Sequence, residues 1–222
     1  WLGRVDNIDP ERRQYVACAE HMDDGIGQIL EALNQAGKAE NTLVIFFSDN
    51  GGTNGDDSSR YPETKAKGKI KGLNTPLRGW KTQVYEGGIR VPAIAYWPGK
   101  LRPFKLSTPT HVVDWMPTIC ALAGCKFEKD PKWDGIDIWP LLNGKGKKDP
   151  ERILYCKGVN GTSSALHRWP WKLIKGKDKV QLYNLNLDPT EKKDLFQIQP
   201  DKVKELLKTL ELQASKDNAS LP

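Results

Sequence analysis

The sequence predicts an α/β protein whose main sheet is incomplete within this chain, followed by a small antiparallel sheet and a helix. Three observations carry this. A long amphipathic stretch runs into a short continuous apolar run that ends in a polar, glycine-containing turn, which is the order of helix, buried strand and strand-end loop. Only one or two such strands occur, fewer than a doubly wound sheet needs, so further strands are expected from outside these residues and the chain reads as a piece of a larger one. After about residue 145 the texture changes to short strand-like runs separated by polar turns. The expected division is 1–145 for the α/β part and 146–222 for the C-terminal part.

Asp9-Pro10-Glu11 reads as a helix start, with a capping residue, proline in the first turn and then an acid. Tyr15, Ala19, Met22, Ile26, Ile29 and Leu33 recur at steps of three and four, one apolar stripe on a helix that Gly37 ends. Leu43–Phe47 shows no alternation, which fits a strand covered on both faces in a parallel sheet. Ser48-Asp49-Asn50-Gly51-Gly52 follows, where such sheets bind ligands, beyond the carboxyl end of the strand. Residues 53–76 read as a polar loop with Lys65, Lys67, Lys69 and Lys71, which could line the approach of an anionic ligand or be a solvated surface. Val91–Trp97 reads as a second strand and Thr110–Ala123 as a helix closed by Gly124. Ile153–Cys156, Trp171–Lys175 and Val180–Asn184 read as strands, and Pro200-Asp201 opens a last helix with Val203, Leu206, Leu207 and Leu210 on one face.

The net charge of +6 points to anionic partners without choosing among them. Nucleic acid is the weakest of these, because no basic platform interleaved with aromatics is present. No run of about 18 apolar residues exists, so no membrane span is expected. Cys18, Cys120, Cys125 and Cys156 form no CxxC pair, and with only three histidines a zinc site is not expected. Disulfides are possible but not demanded. Asn160-Gly161-Thr162 and Asn218-Ala219-Ser220 are glycosylation triplets, which lean towards an extracytoplasmic setting.

Asp49 and Asn50 are adjacent oxygen donors at a strand end, suited to a hard cation, although a plain Asx turn would use the same residues. Lys81 and Arg78 could face an anionic group, the first as a point charge and the second as a fork, or be surface cations beside a glycine turn.

Taken together, FFSDNGG at 46–52, PLRGWK at 76–81, YEGGIRVPAIAYWPG at 85–99, VVDWMPTICALAG at 112–124, DGIDIWPLL at 134–142, WKLI at 171–174 and LYNLNLDPTEKKDL at 182–195 resemble the sulfatase family, in its order and approximate spacing. The resemblance runs from about Tyr15 to about Leu195 and is nearest in flavour to the arylsulfatases and N-acetylgalactosamine-sulfatases. It implies the C-terminal part of an alkaline-phosphatase-like sulfatase sheet with flanking helices. By resemblance, Asp49 and Asn50 look like two ligands of an active-site Ca2+, with Mg2+ possible, and Lys81 looks like the lysine that contacts the sulfate group in catalysis. Arg78 is a second candidate for substrate contact, although it and Arg90 look more like residues that hold the loop together, as does Glu86-Gly87-Gly88.

The family's early Cys-x-Pro-x-Arg or Ser-x-Pro-x-Arg segment, whose first residue becomes formylglycine, does not occur in this sequence. Formylglycine is therefore expected in an N-terminal half of the same protein, the first partner the resemblance implies. The others are a sulfated carbohydrate or aryl sulfate ester as substrate, in a periplasmic, secreted or lysosomal setting. The chain by itself is expected to be inactive. A phosphate or phosphonate ester hydrolase with similar metal chemistry, and a non-catalytic anion- or glycan-binding module, remain alternatives.

Overall fold

A computed structural model describes residues 9–53, 72–146, 151–159 and 161–217. The lysines at 65–71 and both glycosylation asparagines lie outside these residues.

Helix α1 (Pro10–Gln35) follows the predicted stripe, and Gly37 ends it at a positive φ of 63°. The stripe is mostly uncovered: Tyr15, Ala19, Met22 and Ile29 are exposed, Ile26 and Leu33 are half-buried, and among the described residues of the helix only Ala17 belongs to the buried core. Strand β1 (Val44–Phe47) comes next. The expectation of a strand covered on both faces of a parallel sheet is corrected here. β1 pairs antiparallel with β2 (Ala93–Tyr96), Val44 opposite Tyr96 and Phe47 opposite Ala93, and neither strand is buried. The apolar run is a strand, but the described residues cover it only in part: Val44, Ile45 and Phe46 are half-buried and Phe47 is exposed. Between them lies a one-turn helix α2 (Glu86–Ile89), which sequence inspection passed over because its Glu-Gly-Gly core carries no periodicity.

The helix expected over 110–123 is shorter. Val112–Asp114 form a 3-10 turn, capped by the His111 side chain, and α3 spans Trp115–Leu122. Asp114, fully buried, accepts hydrogen bonds from the amides of His111 (2.7 Å) and Ile136 (3.1 Å) and pairs with Arg152. That carboxylate ties the start of α3 to the chain on either side of the short helix α4 (Trp139–Leu142).

The C-terminal part is a four-stranded antiparallel meander of β3 (Ile153–Lys157), β4 (Ser164–Arg168), β5 (Trp171–Lys175) and β6 (Val180–Asn184). The sequence reading missed β4, whose Ser-Ala-Leu-His-Arg has weak strand propensity; pairing with β3 and β5 on either side makes it a strand. Cross-strand register sorts the side chains. Leu166 stands opposite Leu173, which stands opposite Leu182. On this face α5 (Pro200–Ala214) lays Val203, Leu206 and Leu210, forming the larger core cluster. The opposite face carries Ala165, Ile174 and Tyr183, packed against Val84 and Leu185. The meander is therefore covered by a helix on one side and by the 78–90 segment on the other. Among the described residues, no helix is long and apolar enough to cross a membrane.

Candidate active site at the end of the first strand

The turn after β1 is fixed before any side chain is considered. Ser48 donates from its hydroxyl to the carbonyl of Asn50 at 2.9 Å, and the Asn50 amide nitrogen donates to the carbonyl of Gly51 at 3.2 Å. The second bond uses the NH2 end of Asn50 and leaves its amide oxygen as the end that can serve a cation. Gly51 donates its N–H to the carbonyl of Gly88 at 2.9 Å, so the strand end rests directly on α2. No larger residue fits: a Cβ on Gly51 would lie 1.7 Å from the carbonyl oxygen of Gly87. Here two backbones touch, which only glycine permits.

Asn74 holds the other side. Its side-chain oxygen accepts from the Gly52 amide at 2.7 Å, and its nitrogen donates to the carbonyls of Gly52 (2.9 Å) and Gly79 (3.0 Å). Lys81 then donates its backbone N–H to that same Gly52 carbonyl at 3.1 Å. The turn that follows Asp49 and Asn50 and the Lys81 backbone thus meet at the Gly52 carbonyl, although Asn50 and Lys81 stand 31 residues apart in the chain. Asp49 is exposed, while Asn50 and Lys81 are half-buried. Sequence inspection missed Asn74. Its signal was an asparagine two residues before a proline at the close of a long polar loop, a common turn pattern.

Arg78 is placed differently. Its guanidinium donates to the Tyr183 hydroxyl at 2.9 Å and to the Glu191 carbonyl at 3.1 Å, and lies 4.0 Å from the centre of the Tyr85 ring. It is engaged by the C-terminal sheet and its following loop, and this geometry gives it an anchoring part. Burial pushes the Tyr183 hydroxyl up to about 12, against the opposing pull of Arg78, so it stays protonated and can go on serving this network.

Beneath α2 lies a group of charges that no sequence signal announced. Lys172, fully buried on β5, donates to Glu86 at 2.9 Å and pairs with Glu191 at 2.7 Å. Glu191 in turn accepts the backbone N–H of Glu86 at 2.8 Å. Burial pushes the Glu191 carboxyl up, and the Lys172 ammonium works against that shift. His167, on the same sheet face, brings Nε2 to 3.7 Å from Glu86. Burial, then Lys172 and His111, hold it well below the ordinary histidine range, so it is neutral. Lys172 alternates with Leu173 in a strand that reads as an ordinary amphipathic one, and Glu191 sits in a polar run. Only the packing of the sheet on α2 reveals that both are buried.

The donor set can be tested against the cation it would hold. A carboxylate and an amide oxygen, side by side on a glycine turn, suit Ca2+ or Mg2+ in kind. They are two donors where calcium takes six to eight. Among the described residues no group of three or more His, Cys, Asp or Glu side chains comes together that could complete a site. The residues fit a hard cation as part of its shell.

The sulfatase family model matches residues 4–125, more than half of the chain. The human steryl-sulfatase is 29% identical over 245 residues, covering 94% of this chain and 40% of that protein. A sulfatase of Formosa agariphila is 32% identical over 222 residues, covering 87% of this chain and 37% of that protein. Among solved structures, Ps i-CgsB in complex with k-i-k-neocarrahexaose superposes with a TM-score of 0.82 at 28% identity, over 98% of this chain and 46% of that one. The chain thus spans less than half the length of these relatives. With the family model over more than half its residues, and a strand end and glycine turn built as described, the chain belongs to the sulfatase family.

Proposed function

We propose that this chain is the C-terminal part of a formylglycine-type sulfuric ester hydrolase that acts on sulfated carbohydrate or aryl sulfate esters outside the cytoplasm. The observation that carries the reading is the single hydrogen-bonded unit joining the Asp49-Asn50 strand end to the Lys81 turn through the Gly52 carbonyl. Asp49 and Asn50 would hold a calcium ion, with magnesium as the alternative, and the bound cation would polarise sulfate oxygens. Lys81 would bind the sulfate group and neutralise the charge that grows on it as the ester bond breaks. Arg78 would keep the Lys81 turn seated on the C-terminal sheet. Among sulfate esters, the neocarrahexaose held by Ps i-CgsB favours an oligosaccharide.

The nucleophile and the remaining cation ligands would come from the rest of the polypeptide. The uncovered stripe of α1 and the open faces of β1 and β2 favour such a half lying against them. A catalytic unit lacking members is not restored by the others, so the chain alone should not turn over substrate.

The test is an assay of the full-length gene product on sulfate esters beside the matching phosphate esters, with and without chelator. Sulfate esters should be preferred, chelation should abolish turnover, and Lys81→Ala should lower kcat/KM by about 100- to 1,000-fold. A preference for phosphate esters, or an active Lys81→Ala enzyme, would sink this reading. Turnover by the isolated chain would sink the claim that it lacks essential parts.

A further inference from the structure

Helix α3 ends in a turn whose two closing positions are both cysteine. Gly124 leaves the helix at a positive φ of 68°. Its amide donates to the carbonyl of Ala121 at 3.2 Å, and the amide of Cys125 donates back to the carbonyl of Cys120 at 2.9 Å. This pair of bonds defines a Schellman motif, which folds the chain over the last helical turn and sets the residue after the glycine against the residue three before the cap. Apolar side chains ordinarily meet at that contact; here two thiols do. Cys125 is exposed and Cys120 half-buried. Desolvation first, and then a hydrogen bond with the Cys125 thiol, push the Cys120 thiol up. The Cys120 thiol also meets the Met116 sulfur one turn back, at 3.9 Å. The other cysteines, exposed Cys18 and half-buried Cys156, stand on α1 and β3.

We propose that Cys120 and Cys125 form an oxidation site, a dithiol that closes to an intramolecular disulfide and locks the end of α3. The reaction is thiol–disulfide exchange with an external disulfide donor, such as glutathione disulfide or the disulfide of an oxidoreductase. The Cys125 thiolate, the accessible one, attacks a donor sulfur; the donor S–S bond breaks and one donor thiolate leaves. The Cys120 thiolate then attacks the Cys125 sulfur of the mixed disulfide, and the second donor thiolate leaves. Two electrons pass from the cysteine sulfurs to the donor, and the two cysteine protons end on its thiolates. The motif sets Cys120 against Cys125, which places it for this second, resolving step.

The lock has a defined place in the fold. The chain departs from α3 at Cys125 and returns to it where Ile136 donates to Asp114 (3.1 Å) and Ile138 donates to the Thr118 hydroxyl (2.9 Å). A disulfide at 120–125 pins the departure point of that excursion, whose residues up to Trp133 are mostly exposed. The inference does not depend on which ester the protein hydrolyses.

The experiment holds the full-length gene product in excess glutathione disulfide, denatures it in N-ethylmaleimide without reductant, and maps tryptic peptides by mass. Both cysteines fall on one peptide, since no Lys or Arg lies between Leu106 and Cys125 and cleavage follows Lys105 and Lys126. That peptide should be unlabelled and two hydrogens lighter than the thiol form, and should take two labels after prior treatment with dithiothreitol. In Cys120→Ser, Cys125 should instead retain a glutathione adduct. Two labels, or glutathione adducts in place of the internal bond in the wild-type protein, would overturn the proposal. So would a Cys120→Ser protein whose Cys125 carries neither label nor adduct, because Cys125 would then be bonded elsewhere.

Discussion

The two ends of this chain treat their apolar residues in opposite ways. In the C-terminal sheet and the helix α5 on it, Leu166, Leu173, Leu182, Leu206 and Leu210 are at most 2% exposed, and each sheet face has a cover. In α1, Ile29 is 62% exposed and Met22 52%, and on β2 Ile94 is 59% exposed. Both regions carry good periodic patterns, so pattern alone does not make a core: an apolar stripe stabilises only when a partner covers it. The C-terminal sheet finds its partners, α5 and the 78–90 segment, within the described residues. The first helix and strand pair do not.

That contrast can be broken or sharpened by substitution. The largest effect is expected at Lys172. Lys172→Met leaves the Glu86 and Glu191 carboxylates buried without their counter-charge, and urea unfolding of the C-terminal sheet should show a loss of about 3–5 kcal/mol. Leu206→Ala removes a fully buried side chain and should cost about 2–5 kcal/mol by the same measurement. Ile29→Ala, an equally drastic truncation, should stay within about 0.5 kcal/mol in this chain. In the full-length gene product the Ile29 substitution should become costly if a second half covers α1. An equally small effect there would count against that cover.

Acid should act on the C-terminal sheet through its histidine. The folded state holds His167 well below 6.5 by desolvation, and then by Lys172 and His111. Its contribution to stability is therefore complete above the unfolded value near 6.5 and is lost as pH falls through the folded one. The Tm should fall between pH 7 and 5, and His167→Gln should flatten that slope without removing it, since burial lowers His111 as well. An unchanged slope in the variant would remove His167 from the account. The smallest effect is expected at Arg90, 3.8 Å from Glu86 and 55% exposed on its side chain, where alanine should change stability by no more than about 0.5 kcal/mol.

Much of this was legible in the residues. α1, β5, β6 and α5 follow from periodicity and punctuation, and the strand-end turn with Asp49 and Asn50 follows from an apolar run broken by glycines. The direction of β1 was not legible. A continuous apolar run reports that a strand is hydrophobic on both faces, not which neighbour it pairs with. β4 was not legible either, because its residues are held in a strand by those beside it. Nor were Lys172 and Glu191. A lysine in a strand and a glutamate in a polar loop look like surface residues until the 78–90 segment closes over them.

The link between Lys172 and Glu86 joins residues 86 positions apart in the chain. A nonsense mutation or proteolytic cut before β5 would remove the lysine while leaving Asp49, Asn50 and Lys81 intact in the primary structure. Glu86 would lose its buried counter-charge, keeping only the exposed Arg90, and Arg78 would lose its anchors, directly beneath the turn that supports the strand end. In a genetic screen such a late truncation would score with lesions of the Lys81 turn, although it alters no residue there.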